Sequence, residues 1–316
     1  GKTYHDYISS PESIVETQLA VLDEFGWDWV WLHLDDTLEF EPLGVGVAEG
    51  GVNVVPCTTG YLDFDRATLR ALKVPDPRSA RMPLLLDAAT GLRAARGDET
   101  CITGRVAAPF SAVTLIFGMA PTFLAMNDDP GLMRAALAFA EEQATSWGLA
   151  QIEAGCHAIW LGDCNASLHL ISPRHFEEWA LEPCARVTRA FQDAGSLVFL
   201  HNSEERLEGL RLQAQTYPDL LSVGPGLDLA EAYAELRGKQ ALVGNVDPIA
   251  MLTDATAEEV AAETERQVRL GADGGWALNS GECVPREARA ENLRAMVETG
   301  RRVWAEVGPG ACGLGR

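Results

Sequence analysis

Short apolar runs separated by longer amphipathic stretches set the rhythm of this chain. The first run, 29–34 (WVWLHL), predicts a strand buried on both faces, with Trp29 and Trp31 in the core. Six more runs read the same way, at 102–108, 158–162, 197–200, 220–223, 241–243 and 276–278, and Trp276 is likewise expected in the core. Between them apolar positions recur at helical spacing. Asp128 and Asp129 ahead of Pro130 open a helix over 130–147, and Ser172 ahead of Pro173 opens one over 173–194. Two more helices are predicted over 257–270 and 289–307. Strand, helix, strand in this order means parallel strands joined by crossover helices.

Seven strands are credible. An eighth, at 52–55, is weak, and the glycines around it point to a hairpin excursion instead. The fold expected is a TIM (β/α)₈ barrel, with its first strand trimmed or atypical because eight strands are needed. A doubly wound sheet competes with it. Strand count and length favour the barrel, and no G-x-G-x-x-G follows the first strand, so a dinucleotide site has no support. One domain is expected over 1–316, with a surface excursion around 75–99 and a flexible tail at 308–316.

Composition narrows the class. Of 316 residues 47% are hydrophobic, enough for a large core. Lys and Arg number 25 against 46 Asp and Glu, a net charge of −21, which repels nucleic acid and anionic membranes. The seven cysteines are scattered, odd in number and without a CxxC pair, so reduced thiols in a cytoplasmic protein are expected rather than a disulfide framework. No apolar run reaches ~18 residues, the length of a membrane span. The first residues are not a signal peptide, and the missing initiator Met reads as a processed, tagged or trimmed start.

The strand exits are polar, and in a barrel the exits are where chemistry sits. The first strand ends in Asp35 and Asp36. The strand at 158 runs into Asp163, Cys164 and Asn165, and the strand at 197 into His201, Asn202, Ser203 and Glu204. Asn245 and Asp247 follow the strand at 241; Asn279, Ser280, Glu282 and Cys283 follow the last. Helix capping explains Asp163, Asn202 and Ser280 as well as catalysis does. It explains His201 and Cys283 poorly. His33, His157, His169 and His175 stand in apolar or helical contexts and are expected to be structural.

Several of these segments carry a family pattern. Residues 155–173 (GCHAIWLGDCNASLHLISP) resemble the G-(A/C)-D-A-I-x-I-x-D…S-P stretch of the uroporphyrinogen decarboxylase superfamily. Residues 195–202 resemble its strand ending in His. Residues 244–248 match its G-N-(V/L/I)-D-P motif, residues 279–292 (NSGECVPREARAEN) its terminal G-x-x-x-P…P-E-N segment, and residues 35–44 its early D…E-A-x-x-L-G segment. The resemblance runs from about residue 11 to 305 and implies the barrel.

Two branches share that fold. The decarboxylase branch works without metal, and its essential Asp corresponds to Asp35. Its N-terminal R-Q-A-G-R-Y segment has no counterpart here, and candidate clamps for substrate carboxylates are few, chiefly Arg105 and Arg286. The methyltransferase branch moves methyl groups to or from a corrinoid through zinc held by H-x-C and a distant Cys. Here His201-Asn202-Ser203 puts a serine at the first Cys position, and Cys283 sits one place late. The resemblance therefore implies zinc on His201 and Cys283, completed by Glu153, Cys164 or Glu282, with Asp35, Asp163 and Glu282 as catalytic candidates. Asn202, Asn245 and Arg105 are the substrate-binding candidates. The implied function is a corrinoid-linked methyltransferase acting on a small O-, N- or S-methyl compound. The corrinoid would sit on a separate corrinoid-binding protein, since this chain has no D-x-H-x-x-G. A homodimer is allowed for. The alternatives are a cofactor-free decarboxylase and a non-catalytic paralogue that binds a tetrapyrrole or corrinoid.

Overall fold

The computed structural model of the chain describes residues 2–48 and 51–308. The chain divides into two compact units: Gly1–Ala166 with Arg174–Val198, and Ser167–Pro173 with Phe199–Arg316.

The first unit holds strands β1 (Trp29–Trp31), β4 (Cys101–Ala107) and β5 (Ala158–Gly162), side by side and parallel in that order. A separate antiparallel hairpin joins β2 (Gly46–Ala48) to β3 (Cys57–Gly60). It brackets the apolar 52–55 run, which is loop rather than strand and leaves Val52, Val54 and Val55 exposed.

Side-chain alternation along the strands sorts their two faces. A Cβ on Gly104 would lie 2.3 Å from Gln151, so that face of β4 packs against the helix Pro130–Glu153. Thr103, Arg105 and Ala107 are on the opposite face, in register with Ala158, Trp160 and Gly162. Trp31 pairs with Thr103 and shares this face. The strand at 29–31 is therefore not buried on both sides: Val30 is buried, while Trp29 and Trp31 are half-buried. Gly104 also admits the Gln151 amide, which accepts from the Arg105 backbone N–H at 2.8 Å and donates to its carbonyl at 3.0 Å.

The segment 75–99, expected as a surface excursion, contains the helix Met82–Arg96, which buries Met82, Leu85, Leu86, Ala88, Ala89 and Leu92. The helix opened by Asp129 runs further than its pattern indicates, to Glu153, with the Asp129 carboxylate accepting from Leu132 N–H at 3.0 Å. The stretch predicted as one helix over 173–194 is helical with a wide turn at Phe176–Ala180, ahead of Leu181–Asp193. Pro183 supplies the reason, because it has no N–H to return to residue 179.

Strand β6 (Leu197–His201) begins in the first unit and ends in the second. There β7 (Leu220–Ser222), β8 (Ala241–Val243) and β9 (Trp276–Ala277) continue in parallel. Helix Ala257–Leu270 has the bounds its pattern predicts, closed by a Thr256–Glu259 capping box. Val246, Leu252 and Val260 form a core with Leu278, Leu293 and Met296. Trp276 is buried, as expected, and donates to the Gly244 carbonyl at 2.7 Å. The predicted tail beyond Gly308 lies outside the described residues. Among the described residues no single helix is long and apolar enough to cross a membrane.

Candidate active-site residues

In the first unit the exit of β1 carries two ion-pair networks. Asp35, 1% exposed, accepts from Thr37 N–H at 2.9 Å, from Thr37 Oγ1 at 2.6 Å and from Arg81 at 2.6 Å. Burial would raise its carboxyl. The Arg81 and Thr37 hydrogen bonds outweigh burial and hold it below the ordinary range. Arg81 also donates to Glu41 at 2.7 Å. In the second network Arg105 donates to Glu39 at 2.5 Å and to Asp36 at 2.7 Å. Glu39 is fully buried, and burial pushes its carboxyl up to about 7 against the pull of Arg105. Arg105 is thus engaged by the chain's own carboxylates rather than presented to a substrate.

Asp163 follows β5. Its Oδ1 accepts from Ser111 Oγ at 2.8 Å and Ser111 N–H at 3.2 Å, in the first turn of helix Pro109–Phe117. It caps a helix, but one far from it in sequence. Burial pushes its carboxyl up to about 7, with the Ser111 hydrogen bonds opposing. The folded protein therefore binds a proton at Asp163 that the unfolded chain releases near pH 4, and Glu39 behaves alike. Stability must fall between about pH 4 and 7, by up to roughly 1.4 kcal/mol per pH unit for each acid. Asp163→Asn keeps an acceptor for Ser111 and removes its share. Urea unfolding should find this variant gaining on the wild type between pH 5 and 8. A pH-independent difference would contradict the buried-acid account.

In the second unit His201 ends β6, 6% exposed. Its Nε2 lies 3.4 Å from Glu282 Oε2 and 3.3 Å from Ser203 Oγ. Ser203 reaches it from a left-handed backbone, φ 56°. Glu282 is half-buried. Burial would raise its carboxyl, and the contacts with His201 and Ser203 lower it instead. Glu204, 0% exposed, accepts from Leu168 N–H at 2.8 Å and from the Glu205 and Arg206 N–H groups at 3.1 and 3.0 Å. A Cβ on Gly209 would lie 2.3 Å from its carboxyl carbon, so glycine there makes the room. Asn202 is fully buried, its N–H on Ser222 Oγ at 3.2 Å. Asn245 gives its side-chain amide to the Gly224 and Leu227 carbonyls at 2.9 and 2.7 Å. That is a loop-holding role.

Of the expected zinc ligands, His201 faces Glu282, but Cys283 is exposed. Glu153 closes helix Pro130–Glu153 in the first unit, exposed and ahead of the N-terminal end of β5 rather than at a strand exit. Among the described residues no three His, Cys, Asp or Glu side chains are grouped to hold a metal. With Ser203 in place of a thiol and a carboxylate already against His201, the donor set does not fit a three-ligand zinc site.

Three residues of these clusters escape the sequence pattern: Arg81, Glu39 and Ser111. Glu39 did carry a signal, a carboxylate between Leu38 and Phe40.

The chain matches the model of the family described as Uroporphyrinogen decarboxylase (URO-D) over residues 1–303. It belongs to that family. Methylcobamide:CoM methyltransferase MtbA of Methanosarcina acetivorans is 26% identical over 273 residues, covering 86% of this chain and 79% of that protein. Uroporphyrinogen decarboxylase of Anaeromyxobacter dehalogenans is 26% identical over 316 residues, covering 92% and 84%. A solved methyltransferase from Methanosarcina mazei shares the fold at a TM-score of 0.85 and 23% identity, over 96% of this chain and 87% of that one. The fold class of this URO-D member is the α/β barrel class expected from its sequence. Its named relatives are enzymes of two kinds, methyltransferases and decarboxylases.

Proposed function

We propose that this URO-D family member is a methyltransferase that moves a methyl group between a small O-, N- or S-methyl compound and a corrinoid carried by a separate protein. The likeness to methylcobamide:CoM methyltransferases over 86% of the chain supports methyl transfer. The ion pairing of Arg105 and Arg81 also favours this reading over decarboxylation. Arg105 is tied to Glu39 and Asp36, and Arg81 to Asp35 and Glu41, so neither is available to clamp substrate carboxylates. Asp35 likewise has its oxygens taken by Arg81 and Thr37 rather than open to pyrrole N–H groups.

The corrinoid, a substrate here, supplies a cobalt centre that takes or gives the methyl group. What this chain supplies is proton handling. When a methyl ether loses its methyl group, the oxygen left behind needs a proton. In this reading His201, with Glu282 at 3.4 Å and Ser203 at 3.3 Å, gives that proton, or takes it back in the reverse direction. The lack of a thiol at Ser203 favours an oxygen or nitrogen substrate over a thiol one. We place the protein in the cytoplasm on its charge of −21 and its seven scattered cysteines, which form no CxxC pair.

The test presents purified protein with cob(I)alamin and a panel of methyl ethers, methylamines and methyl thioethers, and follows the cobalt spectrum. A parallel arm supplies uroporphyrinogen and measures carbon dioxide. Methyl transfer above the protein-free rate supports the reading. Carbon dioxide release without methyl transfer overturns it in favour of a decarboxylase. Tetrapyrrole binding with neither reaction overturns it in favour of a non-catalytic paralogue.

A further inference from the structure

The loop after β6 is organised around one buried carboxylate that the proton handling above does not use. Glu204 Oε1 accepts from the Glu205 and Arg206 N–H groups, and Oε2 accepts from Leu168 N–H. The backbone carbonyl of Glu204 accepts from Gly224 N–H at 3.0 Å. All of these residues belong to the second unit. Glu204 therefore ties together the 167–173 segment, the exit of β6 and the loop after β7. Its side chain is wholly out of water, and peptide N–H groups meet its charge.

Helix capping alone does not account for it. Helix Leu207–Ala214 has Arg206 at its cap, with no side-chain hydrogen bond there. A short polar side chain at that position would serve. Glu204 stands two residues earlier, and one of its oxygens serves Leu168 instead.

What the arrangement fixes is Ser203. Its backbone is left-handed, φ 56°. A serine keeps that conformation where its surroundings impose it, and such residues gather at functional sites. The bonds from the Glu205 and Arg206 N–H groups to the Glu204 carboxylate close a turn directly after Ser203. Leu168 and Gly224 anchor that turn to the neighbouring loops. Ser203 Oγ thereby stands 3.3 Å from His201 Nε2, and it also contacts the Glu282 carboxylate. One hydroxyl touches both members of the His201–Glu282 pair, so its placement sets theirs.

We propose that Glu204 is a positioning residue for His201: its carboxylate holds the turn that sets Ser203 Oγ against His201 Nε2 and Glu282. That the imidazole so placed moves a proton rests on the methyltransferase reading above. The placement itself does not.

The experiment is NMR of the full chain with ¹³C-labelled histidine at one pH, where each of the six histidines gives a ring C–H signal. His201→Ala identifies the His201 signal, which should be one sharp line in the wild type. Two variants disturb the carboxylate. Glu204→Gln sets an amide N–H against one of the backbone N–H groups, because an amide accepts only through its oxygen. Gly209→Ala keeps Glu204 and pushes its carboxylate aside, since the added Cβ would lie 2.3 Å from it. Alanine is otherwise the better helix residue. Each variant should broaden or split the His201 signal and shift that of His169, the neighbour of Leu168. His5, His33, His157 and His175, all in the first unit, should keep theirs. In the methyl-transfer assay kcat should fall about ten- to a hundredfold with KM unchanged, as for a misplaced group rather than lost binding.

An unchanged His201 signal in either folded variant overturns the proposal. So does a His201 signal that moves only together with those of the first unit, which would mean a general loss of structure. Fast amide exchange at Leu168, Glu205 and Arg206 in the wild type overturns it as well, and that reading needs no variant to fold. The two proposals fail separately. A His201 signal that depends on Glu204, in a protein that turns over no methyl compound, sinks methyl transfer and leaves the positioning role. Methyl transfer with a His201 signal indifferent to both variants does the reverse.

Discussion

Arg105→Met should destabilise the protein by roughly 3–5 kcal/mol at pH 8, the cost of breaking a buried ion pair by removing one partner. Arg105 is the counter-charge of Glu39, which is 1% exposed and bonded to it at 2.5 Å. Without Arg105 that carboxylate keeps Ala107 N–H, at 3.0 Å, as a donor. Protonation is the escape. Glu39 already sits near 7, and losing its cation moves it higher still. The wild type also holds that proton below about pH 7, so the extra penalty of the variant grows only as pH rises above there, by up to roughly 1.4 kcal/mol per pH unit. The variant should therefore lose more stability at pH 8 than at pH 5. Urea unfolding at both values checks this. Adding Glu39→Gln should recover most of the loss at pH 8, because no charge remains to be buried. A penalty that ignores pH, or a double variant no better than the single one, would refute the role given to Glu39.

His201→Ala should lower methyl transfer by about 10²- to 10⁴-fold, the range in which a positioned acid or base contributes. The contact made by Nε2 makes the loss specific. Glu282 and Ser203 both converge on that atom, at 3.4 and 3.3 Å. Glu282→Gln keeps the shape and removes the charge, so its loss should be smaller, and the double variant should fall little below His201→Ala alone. The rates are read from the cobalt spectrum, with circular dichroism reporting the fold. Losses that multiply would mean that the two residues work independently.

The sequence made the strand pattern legible because buried parallel strands are apolar runs, and six of the seven fall where the runs are, with 29–34 longer than its strand. What misled was amphipathicity carried by small residues. In Met82–Arg96 the buried face includes Ala88 and Ala89, beside prolines and arginines that read as surface. The two tryptophans of β1 misled for the opposite reason: large apolar side chains on one face look the same in sequence whether that face is packed or open. His201 and Glu282 were both legible as strand-exit residues, and the structure brings them together. Asn245 and Arg105 were legible as positions but not as roles, since their partners come from loops and strands far along the chain. A metal set read from family spacing fails at Ser203 and Cys283, where the order of residue types shifts by one.

The two units interleave along the chain, and that sets a timetable. Residues 167–173 belong to the second unit yet lie between two stretches of the first. During synthesis the first unit cannot be complete until residue 198 has emerged, because Arg174–Val198 is part of it. Leu168, made before that, has its N–H partner in Glu204. The short 167–173 segment must therefore wait, unsatisfied, while some thirty more residues are added. A cut after residue 198 leaves the first unit whole with the 167–173 segment stranded on it, whereas no single cut releases the second unit whole.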